Sequence, residues 1–370
     1  MTGKGKYFLY EQVFFHLKEE IIQGIYGQGT CLPSERNISD RFNVDRATVR
    51  RALELLVDEG LVEKRAGSCS KVSFRNEHAA LVQKHAGAII GFFIIEDHAA
   101  DRTITQPFYT DLFYEVEQQC KHYGMDVLYA TIRNPEEYAG LLQQLSGVII
   151  AGRAPCEYFR LAEEQRVQAL HINGYNGVSP SISYDSFHSA VLMTEYLISN
   201  GHRDIALITG RESFPTSQNR LAGVLLTLSR HKLAIHPDWI LEGSWGYESG
   251  YRLATKLFHS VGKQPTAIYA FNDIMALGAM RAAKDLRLSV PADVSIVGGD
   301  NIRELKSSGV KLTTTDANIG RIAVSAIQFF LHTPADAGGL QMTVPIHLVE
   351  GDTVRNLHYR PHQRTHARTK

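Results

Sequence analysis

Apolar positions along the chain follow two rhythms, and the change comes near residue 75. Ahead of it the segments are short and mostly of helical period. In 10–24, Val13, Leu17, Ile21 and Ile22 fall on one side of a predicted helix, and Gly24 is placed to end it. The run CLPSERNISDRF predicts a second helix, with Ser34 as N-cap after Pro33 and with Ile38 and Phe42 four residues apart. Asn43 and Val44 then make a tight turn before Asp45, a second N-cap. In the helix that follows, Val49, Leu53, Leu56 and Val57 form one face while Thr48 and Arg51 point away, Arg46 lies in the first turn and Arg50 flanks the apolar side. Two capped helices separated by three residues make a helix-turn-helix pattern. After Gly60, the strands LVEKR and SKVSF around Gly67 predict a hairpin wing.

From residue 88 onward, short apolar β-rich runs alternate with helical stretches. Strands are predicted at AIIGFFII, MDVLYAT, GVIIA, VQALHI, DIALIT, TAIYAF and VSIVG. Helices are predicted near 109–123, 185–200, 216–231, 247–260, 272–287 and 318–332. That alternation is the pattern of a doubly wound parallel α/β sheet, here of two lobes. In such sheets ligands sit at the carboxyl ends of the strands. The polar stretch before residue 88 reads as a linker.

Length and composition sharpen this picture modestly. At 370 residues, 44% hydrophobic and 21% charged, the chain is long enough for two or three domains and has the composition of a folded globular protein. Its longest apolar stretches fall far short of the roughly 20 residues that span a bilayer, and its first residues lack a signal-peptide core, so a cytoplasmic protein with no membrane partner is expected. Cys31, Cys69, Cys120 and Cys156 are scattered, with no paired spacing and no histidine at zinc spacing, so neither a disulfide framework nor a metal site is expected. Lys and Arg number 39 and so do Asp and Glu; residues 1–85 hold 13 basic and 11 acidic side chains, an asymmetry that decides nothing by itself.

The chemistry of the first part is more telling. The positive end of a short helix with Arg and Thr in its first turns fits a major groove, where side chains reach both phosphates and base edges. The sequences LYEQ at 9–12, LPSER at 32–36 and DRATVRRALELLVDEGLVEKRAG at 45–67, with their spacing, resemble the winged helix-turn-helix of the GntR family of bacterial transcription regulators. The resemblance covers about residues 7–74. It implies that Arg36 holds phosphate, that Arg46, Thr48 and Arg50 touch phosphates and bases with Arg51 beside them, and that Gly67 at the wing tip approaches the minor groove. One departure stands out: where the family's wing reads Gly-x-Gly-Thr, this chain has Cys69 and Ser70 in the last two places.

Three segments of the second part carry a second resemblance: 183–210 (SYDSFHSAVLMTEYLISNGHRDIALITG), 270–301 (AFNDIMALGAMRAAKDLRLSVPADVSIVGGDN) and LTTT at 312–315. They resemble the effector domain of LacI/GalR regulators, which is related to periplasmic sugar-binding proteins. The whole chain is similar to the chimeric, AraR-like arrangement of the two. The resemblance implies a two-lobed periplasmic-binding-protein-like fold, homodimerisation, double-stranded operator DNA as partner and a small-molecule effector of the sugar class. It places Arg220, Asn272, Asp273 and Asp300 at pocket positions, Trp245 where an aromatic stacks on a pyranose, and Asn173 where many relatives carry aspartate. Glu96 and the stretch from Pro107 to Tyr109 are the first lobe's contributions.

A sugar offers vicinal hydroxyls and C–H faces, so its site needs planar bidentate donors, acceptors and an aromatic platform, and those residue types are present. Each residue also has a structural reading: Asp273 as a helix cap, Trp245 as core, Arg220 as a surface pair, and Asp185 as the cap of its own helix. The basic tail, with His358, His362 and His366, reads as solvated chain because Pro361 interrupts the helix that would align the histidines. No phosphate loop, nucleophile elbow or HExxH motif is found, so no cofactor and no enzymatic activity is expected. The expected organisation is 1–74 winged helix-turn-helix, 75–87 linker, 88–358 two-lobed effector domain and 359–370 tail. The expected activity is effector-controlled repression of carbohydrate-utilisation genes, with a purine or other non-sugar effector, or activation instead of repression, as the alternatives.

Overall fold

A computed structural model describes residues 9–22, 25–64, 69–73, 77–95, 106–175, 177, 179–260, 262–334 and 339–358. It divides into two compact units, Met1–Ala86 and Gly87–Lys370. The first unit begins with α1 (Leu9–Ile22), α2 (Glu35–Phe42) and α3 (Arg46–Asp58), followed by an antiparallel hairpin of β1 (Val62–Lys64) and β2 (Ser70–Val72). Both expected caps form: Ser34 accepts the Asn37 N–H and Asp45 the Thr48 N–H. Asn43, at φ 51°, supplies the left-handed turn between the two helices, a conformation that asparagine tolerates better than most residues. Leu17, Ile21, Ile38, Val49, Leu53 and Leu56 form a closed core. Val57 does not join it; at 37% exposure it lies on the flank, because Ala52 takes the place on the buried side of α3. The stretch read as linker carries a nine-residue helix, α4 (Glu77–His85).

The expectation of no disulfide is also corrected, since Cys31 and Cys69 are paired, with Cα atoms 5.7 Å apart. Backbone pairing of 29–32 against β2 brings the two together across 38 residues of sequence, which no local spacing rule registers.

In the second unit the first lobe runs β3 (Ile89–Ile95), α5 (Pro107–His122), β4 (Asp126–Ile132), α6 (Pro135–Leu142), β5 (Gly147–Ala151), α7 (Cys156–Glu164), β6 (Gln168–Ile172) and β7 (Ser181–Tyr184). The second runs α8 (Ser186–Ser199), β8 (Ile205–Thr209), α9 (Pro215–Arg230), β9 (Ile240–Glu242), α10 (Tyr247–Phe258), β10 (Ala267–Ala270), α11 (Asp273–Asp285), β11 (Ser295–Val297) and α12 (Glu304–Ser308). The chain then adds β12 (Thr314–Asp316), returns to the first lobe for α13 (Ile319–His332) and β13 (Gln341–Val344), and leaves again for β14 (His347–Val349), which pairs with β12. The sheets are ordered β13-β7-β6-β5-β3-β4 and β11-β10-β8-β9, and both are parallel throughout. Three chain crossings therefore join the lobes, after β7, after β12 and after β13. β3 is buried almost end to end because it sits between β4 and β5 with helices on both faces, hence its unbroken apolar sequence. The strands and helices missed in the sequence are short, such as β9, β12 and β14, or carry little apolar signal, such as the outward-facing β13.

Candidate functional site

In the first unit, the face of α3 opposite its core is built of Ala47, Arg50, Arg51 and Glu54, all exposed. Arg50 donates through Nε to Glu35 Oε2 at 2.9 Å, and Lys64 of β1 donates to Glu35 Oε1 at 3.2 Å. Glu35 thus joins the recognition helix to the base of the wing, and the Arg50 hydrogen bond holds its carboxyl below the usual range against a small burial effect. The sequence reading missed Glu35, although an acid in the first turn of α2 is its only local signature. Arg51 pairs with Glu54 at 3.0 Å, and Arg36 stands 4.0 Å from Asp40 on the exposed side of α2. These surface pairs are weak enough to be exchanged for phosphate. Arg46 is exposed in the first turn of α3, whereas Thr48 is half-buried and its hydroxyl donates to the Asp45 carboxylate at 3.2 Å. Gly67 lies outside the described residues.

In the second unit, a narrow cleft with an enclosed volume of about 30 Å³ lies between the lobes at the carboxyl ends of the strands. Tyr109 comes from the start of α5, Asn173 from the turn after β6, Trp245 from the turn before α10, Asn272 and Asp273 from the start of α11, and Asp300 from the loop after β11. Pro107 and Phe108, of the stretch that sequence reasoning had named, also line it, as do Tyr184, Phe214, Thr216 and Ile274, which it did not find. Aromatic rings therefore stand on both walls, with Phe108, Tyr109 and Tyr184 in the first lobe and Phe214 and Trp245 in the second. Glu96 lies outside the described residues.

Arg220 is not the surface pair of its structural reading. It sits in α9, 1% exposed, behind the cleft wall. Its Nη2 donates to Asp300 Oδ1 at 2.6 Å and its guanidinium carbon lies 5.4 Å from the centre of the Tyr184 ring. Burial works against the charge, but Tyr184 and Asp300 outweigh it and the pKa is raised. Nε and Nη1 are buried and have no partner. Trp245 Nε1 and Asn173 Oδ1 are orphaned in the same way. Buried polar atoms are normally satisfied, so this cluster marks where a polar molecule or water completes the structure.

The remaining polar side chains have structural partners. Asn272 caps α11 by accepting the Met275 N–H at 2.9 Å and donates to the Trp245 carbonyl at 2.8 Å. Asp273 accepts from Thr314 Oγ1 at 2.5 Å and from the Ile302 N–H at 3.1 Å. Burial, together with the charge of Asp300, pushes Asp273 up to about 8 and so favours its protonated form; burial raises Asp300 as well, and there the Arg220 guanidinium and its hydrogen bond pull the other way. Asp185 caps α8 and does not line the cleft. Three cleft residues occupy the left-handed region: Asn173 at φ 56°, Trp245 at 66° and Asp300 at 111°. Such strain persists only where surrounding contacts enforce it, and it concentrates at ligand sites. Gly210 shows one enforcing contact, since a Cβ there would lie 1.9 Å from the Trp245 indole.

Beside the cleft, Arg303 of the second lobe reaches across to α5. Its backbone N–H donates to Asp111 at 3.0 Å, its guanidinium pairs with Glu115, and it lies 4.1 Å over the Tyr114 ring. This clamp holds the lobes in their present approach.

Two family descriptions match the chain: bacterial regulatory proteins of the gntR family over residues 9–72, and the periplasmic binding protein-like domain over residues 194–354. An HTH-type transcriptional repressor PurR from Histophilus somni is 32% identical over 246 residues, covering 64% of this chain and 74% of the relative. The crystal structure of a LacI transcriptional regulator from a Rhodococcus species superposes with a TM-score of 0.63 at 25% identity, covering 72% of this chain and 98% of that one. The lactose repressor bound to an anti-inducer matches with a TM-score of 0.64 at 26% identity over 72% and 99% of the two chains. These relatives are transcription regulators and not enzymes. Among the described residues no helix is long and apolar enough to cross a membrane.

Proposed function

Because the chain belongs to the transcription regulators that join a GntR-family DNA-binding head to a LacI/GalR-type effector domain, we propose that a small sugar in the interlobe cleft controls its repression of carbohydrate-utilisation genes. The carrying observation is the buried Arg220–Asp300 pair with two guanidinium nitrogens left unpartnered, next to the orphaned Trp245 and Asn173 atoms. A ring bearing vicinal hydroxyls supplies both donors and acceptors to such a set, and Trp245 and Phe214 give it an apolar platform. Arg36, Arg46, Thr48, Arg50 and Arg51, with Gly67 by resemblance alone, contact a two-fold symmetric operator as one half of a homodimer in the cytoplasm. Effector preference for one approach of the lobes shifts their equilibrium and with it the spacing of the two heads. The coupling is bounded by that preference, typically about 1–3 kcal/mol.

A second reading has its own support. Aromatic rings on both walls suit a planar base held between two faces, and the PurR relatives favour a purine. A thermal-shift screen of the full chain against pentoses, hexoses, disaccharides and nucleobases separates the two. A ligand at 100 times its Kd adds about 2.7 kcal/mol. Shifts confined to sugars, followed by a change in duplex binding, support the first reading. A response to nucleobases alone replaces it with the second.

A further inference from the structure

The Cys31–Cys69 pair plays no part in the effector reading, and its setting points to a chemical role. The segment 29–32 runs as a third strand along the wing. Gly29 N–H donates to the Val72 carbonyl at 2.8 Å, Val72 N–H to the Thr30 carbonyl at 2.9 Å, and Leu32 N–H to the Ser70 carbonyl at 2.8 Å. That ladder sets Cys31 opposite Lys71 and holds the two cysteine Cα atoms 5.7 Å apart, inside the range a disulfide bridges without backbone movement. Both residues are exposed, as is Lys71, which the ladder sets opposite Cys31, and exposure is what lets an oxidant reach a thiol. The loop they close contains α2 and α3 entire. It ends at the outgoing strand of the wing, whose partner strand carries Lys64, bound through Glu35 to Arg50. Of the other cysteines, Cys120 is buried and Cys156 is exposed in the second unit.

We propose that Cys31 and Cys69 are a reversible oxidation site through which a hydroperoxide raises the operator affinity of the DNA-binding head. One thiolate attacks the peroxide O–O bond, becoming a sulfenic acid and releasing water (or the alcohol of an organic peroxide). The second thiol displaces the sulfenic oxygen as water and the S–S bond forms. The two thiols lose two electrons and two protons while the peroxide is reduced; a dithiol donor reverses the step by exchange. The bond restrains the wing in the arrangement that the ladder already defines, so less ordering remains to be done on DNA. The inference is independent of the effector, so its failure leaves the cleft reading untouched.

The test uses the full chain carrying Cys156→Ser, treated with stoichiometric hydrogen peroxide or with dithiothreitol. Intact mass, alkylation mapping and anisotropy are followed on a duplex enriched by the reduced protein from a randomised library. The oxidised protein is expected to lose the mass of two hydrogens, to protect Cys31 and Cys69 from alkylation, and to bind roughly fivefold more tightly, about the effect of sparing one residue its ordering. Dithiothreitol restores the reduced affinity. Cys31→Ser and Cys69→Ser, each checked for folding by circular dichroism, are expected to bind like the reduced protein and to ignore peroxide. Full alkylation of both cysteines after peroxide, or a formed bond with duplex affinity unchanged or lowered, overturns the proposal.

Discussion

Replacing Arg220 by methionine tests the centre of the cleft. The side chain is buried with Asp300 at 2.6 Å, and Asp273 is packed close by with its protonated form favoured. Removing one member of a buried pair costs about 3–5 kcal/mol, because the other is left as an uncompensated buried charge. A second limit applies here: Asp300 can escape by taking up a proton, which for a carboxyl with an ordinary pKa near 4 costs about 4 kcal/mol at pH 7 and about 1.4 kcal/mol at pH 5. Arg220→Met should therefore destabilise the second unit by about 4 kcal/mol at pH 7, a fall in Tm on the order of 10 °C, and by much less at pH 5. Adding Asp300→Asn should recover most of the loss, since neither charge remains. Urea unfolding of the wild type, both single variants and the double variant at the two pH values measures this. Binding of an enriched duplex, expected to persist, and the effector's thermal shift, expected to vanish, separate loss of the site from loss of the fold. A cost below about 1 kcal/mol for Arg220→Met, equal at both pH values, would refute the buried-pair reasoning.

Three further outcomes are expected. Arg50→Ala should weaken operator binding by about 1–3 kcal/mol and relax sequence preference, whereas Arg36→Ala should weaken all duplexes alike and lower the salt slope by about one; competition binding at several salt concentrations distinguishes them. Asp273 has a folded pKa of about 8 against an unfolded value near 4, so its stabilising effect is complete at low pH and is lost as pH rises toward 8. Asp273→Asn should flatten that decline by at most about 1.4 kcal/mol per pH unit, and unfolding curves at pH 5 to 8 that stay parallel to those of the wild type would contradict it. Arg303→Ala should release the clamp on α5 and change effector affinity by only a few-fold, because the side chain is 44% exposed; isothermal titration reads this directly.

Much of the head was legible in the sequence because its signals are local. Ser34 and Asp45 cap the helices they precede, and the spacing of Val49, Leu53 and Leu56 names the buried face of α3. Where that local period was extended to Val57 it failed, since the exposure of a flanking position depends on what packs beside it. In the second unit the apolar runs marked the central strands, and the carboxyl-end rule together with the resemblance named residues that the fold does bring to one cleft. What the sequence could not determine is which side chains meet across long separations. Arg220 and Asp300 are 80 residues apart and Cys31 and Cys69 are 38 apart, and each pair is created by strand register and helix placement. The aromatic side chains of Tyr184 and Phe214 in the cleft and the Arg303 clamp arise where two lobes face each other, a geometry to which no single segment's pattern responds. Local propensity and periodicity decide which elements form; the pKa shifts of Asp273 and Arg220, and the buried atoms left without a partner, follow only from how tertiary packing excludes water around them.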